Sequence, residues 1–291
     1  MIERTFQFIP GVGPWRERDL WARGVSDWDA FEAASGTILS KAKDPVARAW
    51  IAKARQARME GDLAALGAML PGREHWRLYR AFADRAVFFD IETDGSDEQL
   101  PTAVSLFDRD GLHVFVRGQN LSGLPAALAK RSIWVTFNGS CFDVPVLRRH
   151  FPRLVSPELH LDLRFIGRRV GLSGGLKQIE GEVGVTRPTH LEGLGGLDAV
   201  LLWRAYEETG DPALLRVLVE YNLYDAFNLR ALMELIFNRA VDGLAFDDEP
   251  RLPPFDPTPW LGEAAHILQG IDARGPQDPR LLARVRERYG G

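Results

Sequence analysis

The sequence predicts an α/β protein, a mixed β-sheet flanked by helices and preceded by a small helical domain. Three short apolar runs lie within residues 86–116, and a turn-type Asp-Arg-Asp-Gly segment at 108–111 separates the last two. A helical segment at 121–130 is followed by another strand-type run at 133–137, and mainly helical sequence continues to about Asn238. Neighbouring strands followed by an alternation of strand and helix are typical of a sheet with helices packed on its faces.

Changes of pattern along the chain divide it into three regions: 1–85, 86–245 and 246–291. The first is predicted to be helical, because residues 44–70 are rich in Ala, Arg, Leu and Met up to a Pro-Gly pair that ends the helix. The second contains the predicted sheet. The third is interpreted as a proline-rich C-terminal extension.

The C-terminal region becomes loop-like from about Asp247. Its prolines are concentrated in residues 249–254 and 256–259, a density that predicts no regular structure there. Residues 279–289 are predicted to form a short helix.

Composition narrows the class of protein. Cys141 is the only cysteine, which excludes an intramolecular disulfide framework and a zinc site built from several thiolates. No window resembles an apolar membrane span and the N-terminus lacks a signal-peptide pattern, so we expect a cytoplasmic protein without membrane contact. The net charge is −4, and residues 86–245 hold 21 Asp and Glu against 16 Lys and Arg. This balance argues against a broad phosphate-binding surface there, but it is compatible with carboxylates gathered around metal ions.

The first motif with chemical content is Phe-Phe-Asp-Ile-Glu-Thr at 88–93. Asp90 and Glu92 stand two residues apart on a predicted strand, so their side chains project to the same face and could bind one ion. Burying two acids at the end of an apolar strand is costly unless a cation compensates them. The alternative is an exposed strand end at which both acids are solvated.

The second motif is Asn-Gly-Ser-Cys-Phe-Asp at 138–143, directly after the strand-type run at 133–137. Asp143 is predicted to begin a helix that runs to His150, with Pro145 suited to its first turn. A helix N-cap is the structural alternative for Asp143, because aspartate is common at that position.

The third motif is Tyr-Asn-Leu-Tyr-Asp at 221–225, within a predicted helix over 212–238. Tyr221 and Asp225 are four residues apart and therefore share one face of that helix. The alternative is a tyrosine at the edge of the core and an aspartate that makes a surface contact.

In this order, the three motifs resemble those of the DEDD exonucleases, also called DnaQ-like, which have an RNase H-like fold. The shared pattern is Asp-x-Glu after a strand, then Asn-Gly-x-x-Phe-Asp about 50 residues later, then Tyr-x-x-x-Asp near the end of the domain. The resemblance spans roughly residues 86–240. The tyrosine four residues before the last aspartate is typical of the tyrosine subclass, and residues 161–163 and 175–180 are most similar to the bacterial YprB-like branch.

The resemblance implies a metal-dependent 3′→5′ exonuclease acting on single-stranded or 3′-ended DNA or RNA. It implies two divalent ions, Mg²⁺ or Mn²⁺, because oxygen ligands favour these over zinc. Asp90, Glu92 and Asp225 would hold the ion that activates water. Asp90 would also bridge to the second ion, where Asp143 would act through bound water. Tyr221 would orient the attacking water, since a phenol with an ordinary pKa near 10 is a poor base at neutral pH.

Other reactive side chains are interpreted as structural. Asp94 stands where related proteins often have threonine, an extra acid that could perturb metal binding but leaves all four expected ligands present. Cys141 lies in the second motif, but no histidine is placed by sequence to activate it. His160 and Asp162 form a His-x-Asp pair on a predicted strand, for which we favour a structural role over metal binding.

Residues 8–14, Phe-Ile-Pro-Gly-Val-Gly-Pro, followed by helical sequence to Val25, resemble a helix-hairpin-helix motif. In that motif a Gly-x-Gly hairpin presents backbone N–H groups to a phosphate. The alternative is a small helical bundle whose basic residues are only solvated. The residues expected to contact nucleic acid are Gly11, Gly13, Lys53, Arg55, Arg58 and Asn138.

Two other functions stay open on sequence alone. One is a non-catalytic nucleic-acid-binding or adaptor protein on an RNase H-like shell, against which the complete carboxylate set argues. The other is a structure-specific endonuclease of the same fold. The choice between DNA and RNA also stays open.

Overall fold

The computed structural model describes residues 1–244, 246, 248–273 and 280–290. The chain forms two compact units. The first comprises Met1–Ala83 and Leu244–Pro250, and the second comprises Asp84–Gly243 and Arg251–Gly291.

The first unit is helical, as predicted. Its α-helices are α1 (Pro14–Ala22), α2 (Trp28–Ala33), α3 (Lys43–Glu60), α4 (Leu63–Met69) and α5 (Tyr79–Phe82). The predicted helical stretch at 44–70 is two helices, because Gly61 has a left-handed φ of 67° and ends α3. Asp62 then caps α4 by accepting the backbone N–H of Ala65.

The N-terminal hairpin leads directly into α1. Gly11 has a φ of 76°, and Gly13 is the N-cap of α1. The helix is anchored by its buried Glu17, which binds Arg77 at 2.9 Å. Before the hairpin, the described chain forms a 3-10 helix of three residues, Ile2–Arg4, in place of an α-helix. The structural likeness to a helix-hairpin-helix is therefore limited to the hairpin and the helix that follows it.

The second unit is built on a five-stranded mixed sheet, which confirms the predicted fold class. Its strands are β1 (Ala86–Thr93), β2 (Pro101–Asp108), β3 (Gly111–Val116), β4 (Ile133–Thr136) and β5 (Leu159–Asp162). Their order is β3-β2-β1-β4-β5, with β1 antiparallel to β2 and parallel to β4. The carboxyl ends of β1, β4 and β5 consequently meet at one edge of the sheet.

Eight α-helices complete the described part of this unit. They are α6 (Leu124–Leu128), α7 (Asp143–His150), α8 (Leu163–Arg168), α9 (Leu176–Val183), α10 (Gly196–Thr209), α11 (Pro212–Asp242), α12 (Thr258–Ile271) and α13 (Leu281–Tyr289). The longest, α11, packs against β1 and β2. It begins after Asp211, whose side chain caps it by accepting the N–H of Ala213. No helix in the described ranges is both long and apolar enough to span a membrane.

Successive side chains of a strand point to opposite faces of the sheet, so the apolar and the acidic residues of β1 lie on different faces. Val87, Phe89 and Ile91 enter an apolar cluster on one face of the sheet. Asp90 and Glu92 therefore project to the other face, on the side where α11 packs.

The C-terminal segment corrects one prediction. Irregular chain is predicted for residues 256–259, but α12 begins at Thr258. Pro259 lies in the first turn, where a proline removes no helical hydrogen bond. Ala264 and Leu268 of α12 are buried, so the helix is stabilised by packing that proline density does not reveal.

The predicted helix at 279–289 is α13, which begins at Leu281 and ends at Tyr289. Residue 279 lies outside the described residues, and so does residue 247, where the loop-like region was predicted to begin. On α13, Arg286 binds Asp198 in the first turn of α10 at 2.6 Å.

Candidate active site

Carboxylates from β1 and α11 meet where β1 ends. Asp90 and Glu92 project from the strand, and Asp225 projects from the helix. Carboxylate oxygens of these three residues lie within 4.8 Å of one another. Glu92 and Asp225 are buried and Asp90 is half-buried, so the alternative of a solvated strand end does not describe this site.

The helix α11 also contributes the residue that holds Asp90. Asn222 is fully buried, and its Nδ2 donates to Asp90 Oδ2 at 2.9 Å. Because this bond fixes the direction of the carboxylate, Asn222 positions Asp90 within the cluster. Sequence reasoning missed Asn222, since a single helical asparagine carries no distinctive spacing.

Asp143 is the first residue of α7, at the predicted helix start. Its carboxylate is buried and lines the same cavity as Asp90 and Glu92 of β1. The N-cap of α7 is Phe142, so Asp143 does not fill the capping role considered as its alternative. Within the described part of the chain, Asp143 Oδ1 has no hydrogen-bond partner.

The loop between β4 and α7 is held by Asp162 at the end of β5. Its Oδ1 accepts the N–H of Asn138 at 2.8 Å, and its Oδ2 accepts the N–H of Ser140 at 3.0 Å. Asn138 has a left-handed φ of 64°, which asparagine tolerates, and its Oδ1 accepts from Arg164 at 2.7 Å. Asp162 therefore has structural contacts, in line with the role we favoured for it.

The carboxylate cluster borders a cavity of about 360 Å³. The apolar part of the cavity wall includes Phe137, Phe142 and Leu176. The cavity also contains every predicted catalytic residue and one predicted nucleic-acid contact: Asp90, Glu92, Asp143, Tyr221, Asp225 and Asn138. The topology thus brings residues from three distant segments of the sequence to one place.

The acids are strongly perturbed by their surroundings. Burial, reinforced by repulsion from Asp225 and Asp143, raises the pKa of Asp90 and of Glu92 well above the usual range. Burial also raises the pKa of Asp143 to about 7. The pKa of Asp225 is raised by burial as well, although the neighbouring Arg187 opposes the change. Ionising the whole cluster is therefore unfavourable unless further positive charge is supplied.

Lys177, on α9, borders the cluster and was not predicted as a site residue. Its Nζ donates to the Tyr221 hydroxyl at 2.6 Å and also to the carbonyl of Leu194. Burial lowers the pKa of Lys177 and raises the pKa of Tyr221 far above its usual value. Lys177 belongs to the 175–180 segment noted for its similarity to one family branch, and that similarity is the only sequence signal for it.

Arg187, in the segment after α9, is the second cation that sequence reasoning missed. Its Nη2 forms an ion pair with Asp225 and lies 2.6 Å from Glu180 Oε1. No motif surrounds it in the sequence. Its position becomes evident only when α9 and α11 are packed together.

The donor set fits a hard divalent cation. Asp90, Glu92 and Asp225 offer only oxygen atoms, the donors that Mg²⁺ and Mn²⁺ prefer. The unpartnered oxygen of Asp143 provides a further buried acceptor that lines the same cavity. The cluster could therefore bind a metal ion.

Asp94 does not add to the cluster. Although burial opposes the change, hydrogen bonds from Ser96 and Arg117 lower the pKa of Asp94 to about 2. Arg117 Nη1 lies 2.9 Å from the Asp94 carboxylate. The extra acid is thus neutralised by its own partner.

Cys141 and His160 are not among the residues that line the cavity. Cys141 is exposed. His160 Nε2 lies 2.8 Å from the Thr136 hydroxyl, and burial lowers the pKa of this histidine. These surroundings favour the structural interpretation given to His160.

The basic residues expected to contact nucleic acid in the first unit have different surroundings. Arg55 is bound by Asp29 at 2.7 Å and by Glu32 at 3.2 Å. Lys53 Nζ lies 5.5 Å from the ring centre of Trp50, and the Arg58 guanidinium lies 5.6 Å from another aromatic ring. Of these three basic residues, Arg55 is therefore already paired with carboxylates.

A mixed sheet with an acidic cluster at the end of its central strand defines an α/β domain of the nuclease type. Residues 87–237, just over half of the chain, match the family model RNase_H_2 of the RNase_H superfamily. The chain belongs to the RNase_H superfamily, and its predicted RNase H-like fold is confirmed. No curated protein matches the chain in sequence. Membership of this superfamily implies nucleic acid as the substrate and points to hydrolysis.

Divalent ions are expected to stabilise the protein more at about pH 8 than at about pH 6. A carboxyl group whose pKa is raised on folding contributes stability that is complete below its unfolded pKa and is lost as the pH rises through its folded pKa. For Asp143 this interval runs from 3.8 to about 7, and the pKa values of Asp90 and Glu92 are raised in the same direction by burial. A divalent ion such as Mg²⁺ would bind the ionised form of the cluster, so the rise in Tm that it causes should be larger at the higher pH. Scanning fluorimetry at both pH values measures this, and an equal or smaller rise at pH 8 contradicts it.

Proposed function

We propose that the protein is a metal-dependent 3′→5′ exonuclease of the tyrosine subclass of DEDD enzymes, similar to the YprB-like branch. The observation that carries the proposal is the meeting of Asp90, Glu92 and Asp225 within 4.8 Å, in one cavity with Asp143 and Tyr221. The proposed substrate is a 3′-ended DNA or RNA strand. The proposed cofactor is a pair of divalent ions, either Mg²⁺ or Mn²⁺.

The chain's own residues have distinct tasks in this proposal. Asp90, Glu92 and Asp225 would hold one divalent ion, and Asp90 would also hold the second, where Asp143 would act through bound water. When bound, the ions supply an activated water and stabilise the charge that develops on the phosphate and the leaving oxygen. Asn222 keeps the Asp90 carboxylate directed into the cavity.

Tyr221 acts in this proposal as a hydrogen-bond donor. Lys177 donates to its oxygen at 2.6 Å, which leaves the phenol proton available to the attacking water or to a phosphate oxygen. Because burial raises the pKa of Tyr221 far above neutrality, the phenol stays protonated and is not a base.

The proposal is tested with purified protein on strands labelled at the 5′ end. We expect stepwise shortening from the 3′ end that requires Mg²⁺ or Mn²⁺ and stops when EDTA is added. DNA and RNA, each linear and circular, form the substrate panel. Cutting of circles identifies an endonuclease, and metal binding without cleavage of any substrate leaves a binding protein; either result contradicts the exonuclease proposal.

Replacing Tyr221 by phenylalanine is expected to lower kcat by roughly 10²-fold without abolishing turnover, because one oriented hydrogen bond is lost and every metal ligand remains. Single-turnover rates at saturating Mg²⁺ measure the effect. Tyr224→Phe, three residues along α11 and outside the cavity lining, is the matched control and should keep the wild-type rate. A loss as complete as that of a metal-ligand variant would show that the phenol does more than orient a reactant.

The first unit is proposed to contact the nucleic-acid backbone through the N–H groups of Gly11 and Gly13, assisted by Lys53, Arg55 and Arg58, while Asn138 contacts the strand at the cavity. Changing the three basic residues to glutamine is expected to weaken strand binding and to reduce the slope of log Kd against log salt by about two. We expect less than three because Arg55 is already paired with Asp29. Fluorescence anisotropy across a salt series measures the slope, and an unchanged slope shows that the basic residues are only solvated.

A further inference from the structure

Arg187 contacts Asp225, one of the proposed metal ligands, and the proposed function gives this contact no role. Its side chain is 7% exposed, so the guanidinium has little access to water. One nitrogen, Nη2, contacts both Asp225 Oδ1 and Glu180 Oε1. The other contact, Nε to Glu180 Oε2, measures 2.7 Å.

Glu180 alone already neutralises this arginine. It binds the guanidinium through both of its oxygens, and it is itself buried. Asn228, from α11, also donates to Glu180 at 3.1 Å. The arginine is thus fixed by partners that lie outside the carboxylate cluster.

The contact with Asp225 is therefore additional to what keeps Arg187 in place. Asp225 is also one of the three residues whose oxygens could share a metal ion. A guanidinium and a divalent ion on one carboxylate repel each other, and burial makes that repulsion strong. The two cations consequently compete for Asp225.

We propose that Arg187 is a built-in counter-ion of Asp225 that sets the affinity of the site for divalent ions. A metal ion binds as the guanidinium withdraws from Asp225 and retains its two bonds to Glu180. Arg187 is thus a positioning residue that acts through Asp225. The inference rests on the proposed metal site.

Calorimetric titration with MnCl₂ alone, without nucleic acid, tests this directly. Arg187→Gln removes the competing charge and is expected to bind Mn²⁺ roughly tenfold more tightly than the wild type. Glu180→Gln has the opposite effect: the guanidinium keeps Asp225 as its only carboxylate partner among its described contacts, so Mn²⁺ should bind more weakly. A residue that merely stabilised the fold would not shift affinity in opposite directions in these two variants.

Arg131→Gln is the matched control, because it removes a buried ion pair of the same unit, with Asp108 at 3.0 Å, and neither residue lines the cavity. Its Mn²⁺ affinity should equal that of the wild type. If Arg187→Gln does not fold, Glu180→Gln decides the question, since unchanged or tighter binding in that variant overturns the inference. Unchanged or weaker binding by folded Arg187→Gln overturns it too.

The result also separates this inference from the proposed function. If the wild type binds Mn²⁺ but the affinities of the variants do not change in the expected directions, the proposed role of Arg187 is wrong. The exonuclease proposal is then unaffected. If neither the wild type nor Arg187→Gln binds Mn²⁺, the metal site itself is wrong and both proposals fail.

Discussion

Replacing Asp90 with alanine is expected to lower the rate of 3′-nucleotide release by about 10³-fold or more, to the background of the assay. Asp90 contributes an oxygen to the three-carboxylate group, and in the proposed mechanism it contacts both ions. Its loss also leaves the buried Nδ2 of Asn222 without the acceptor that it has at 2.9 Å. Activity is measured on a labelled single strand at saturating Mg²⁺.

Two companion variants make this experiment decisive. Asp225→Asn keeps the shape of the side chain and removes its charge, and it should be as inactive as Asp90→Ala. Asp97→Ala removes an exposed acid from the loop after β1 and should retain full activity. Turnover that survives in both Asp90→Ala and Asp225→Asn would place the chemistry elsewhere.

Replacing Phe89 with alanine is expected to cost about 3–5 kcal/mol of unfolding free energy, the usual loss for a large aromatic side chain in a core. Phe89 is fully buried, and its ring meets that of Trp134 edge-on at a centroid distance of 5.5 Å. For a unit of this size, the loss corresponds to a fall in Tm of roughly 10 °C. Thermal and urea unfolding monitored by circular dichroism measure it.

The control for this prediction is Phe165→Ala, which removes the same side chain from a surface position that is 45% exposed. Its unfolding free energy should stay within about 0.5 kcal/mol of the wild type. If the two variants lose equal stability, the apolar face of β1 is not the core that holds the site in place.

Much of the site follows from local periodicity. Two acids separated by one residue on a strand lie on the same face of the sheet. A tyrosine and an aspartate four residues apart on a helix lie on the same face of that helix. These rules correctly paired Asp90 with Glu92 and Tyr221 with Asp225. The start of α7 at Asp143 was likewise evident from a strand, a Gly-containing turn and a following proline.

The rest depends on packing between distant segments, which periodicity does not encode. Asn222 reaches the cluster because α11 packs on the sheet. Lys177 and Arg187 reach it through side-chain contacts with Tyr221 and Asp225 of α11. The helix α12 was hidden for a different reason. Its first turn contains the Thr258-Pro259 pair that reads as a loop, although a proline there is compatible with a helix.

The alternation along β1 also has a consequence for folding accuracy. Phe89 pairs with Leu106 and Asp90 with Ser105 on the neighbouring strand. A slip of one residue would exchange the two faces and push Asp90 and Glu92 into the apolar cluster. The acids that we propose to hold metal therefore also disfavour a strand alignment shifted by one residue, because that pairing would bury charge among aromatic rings.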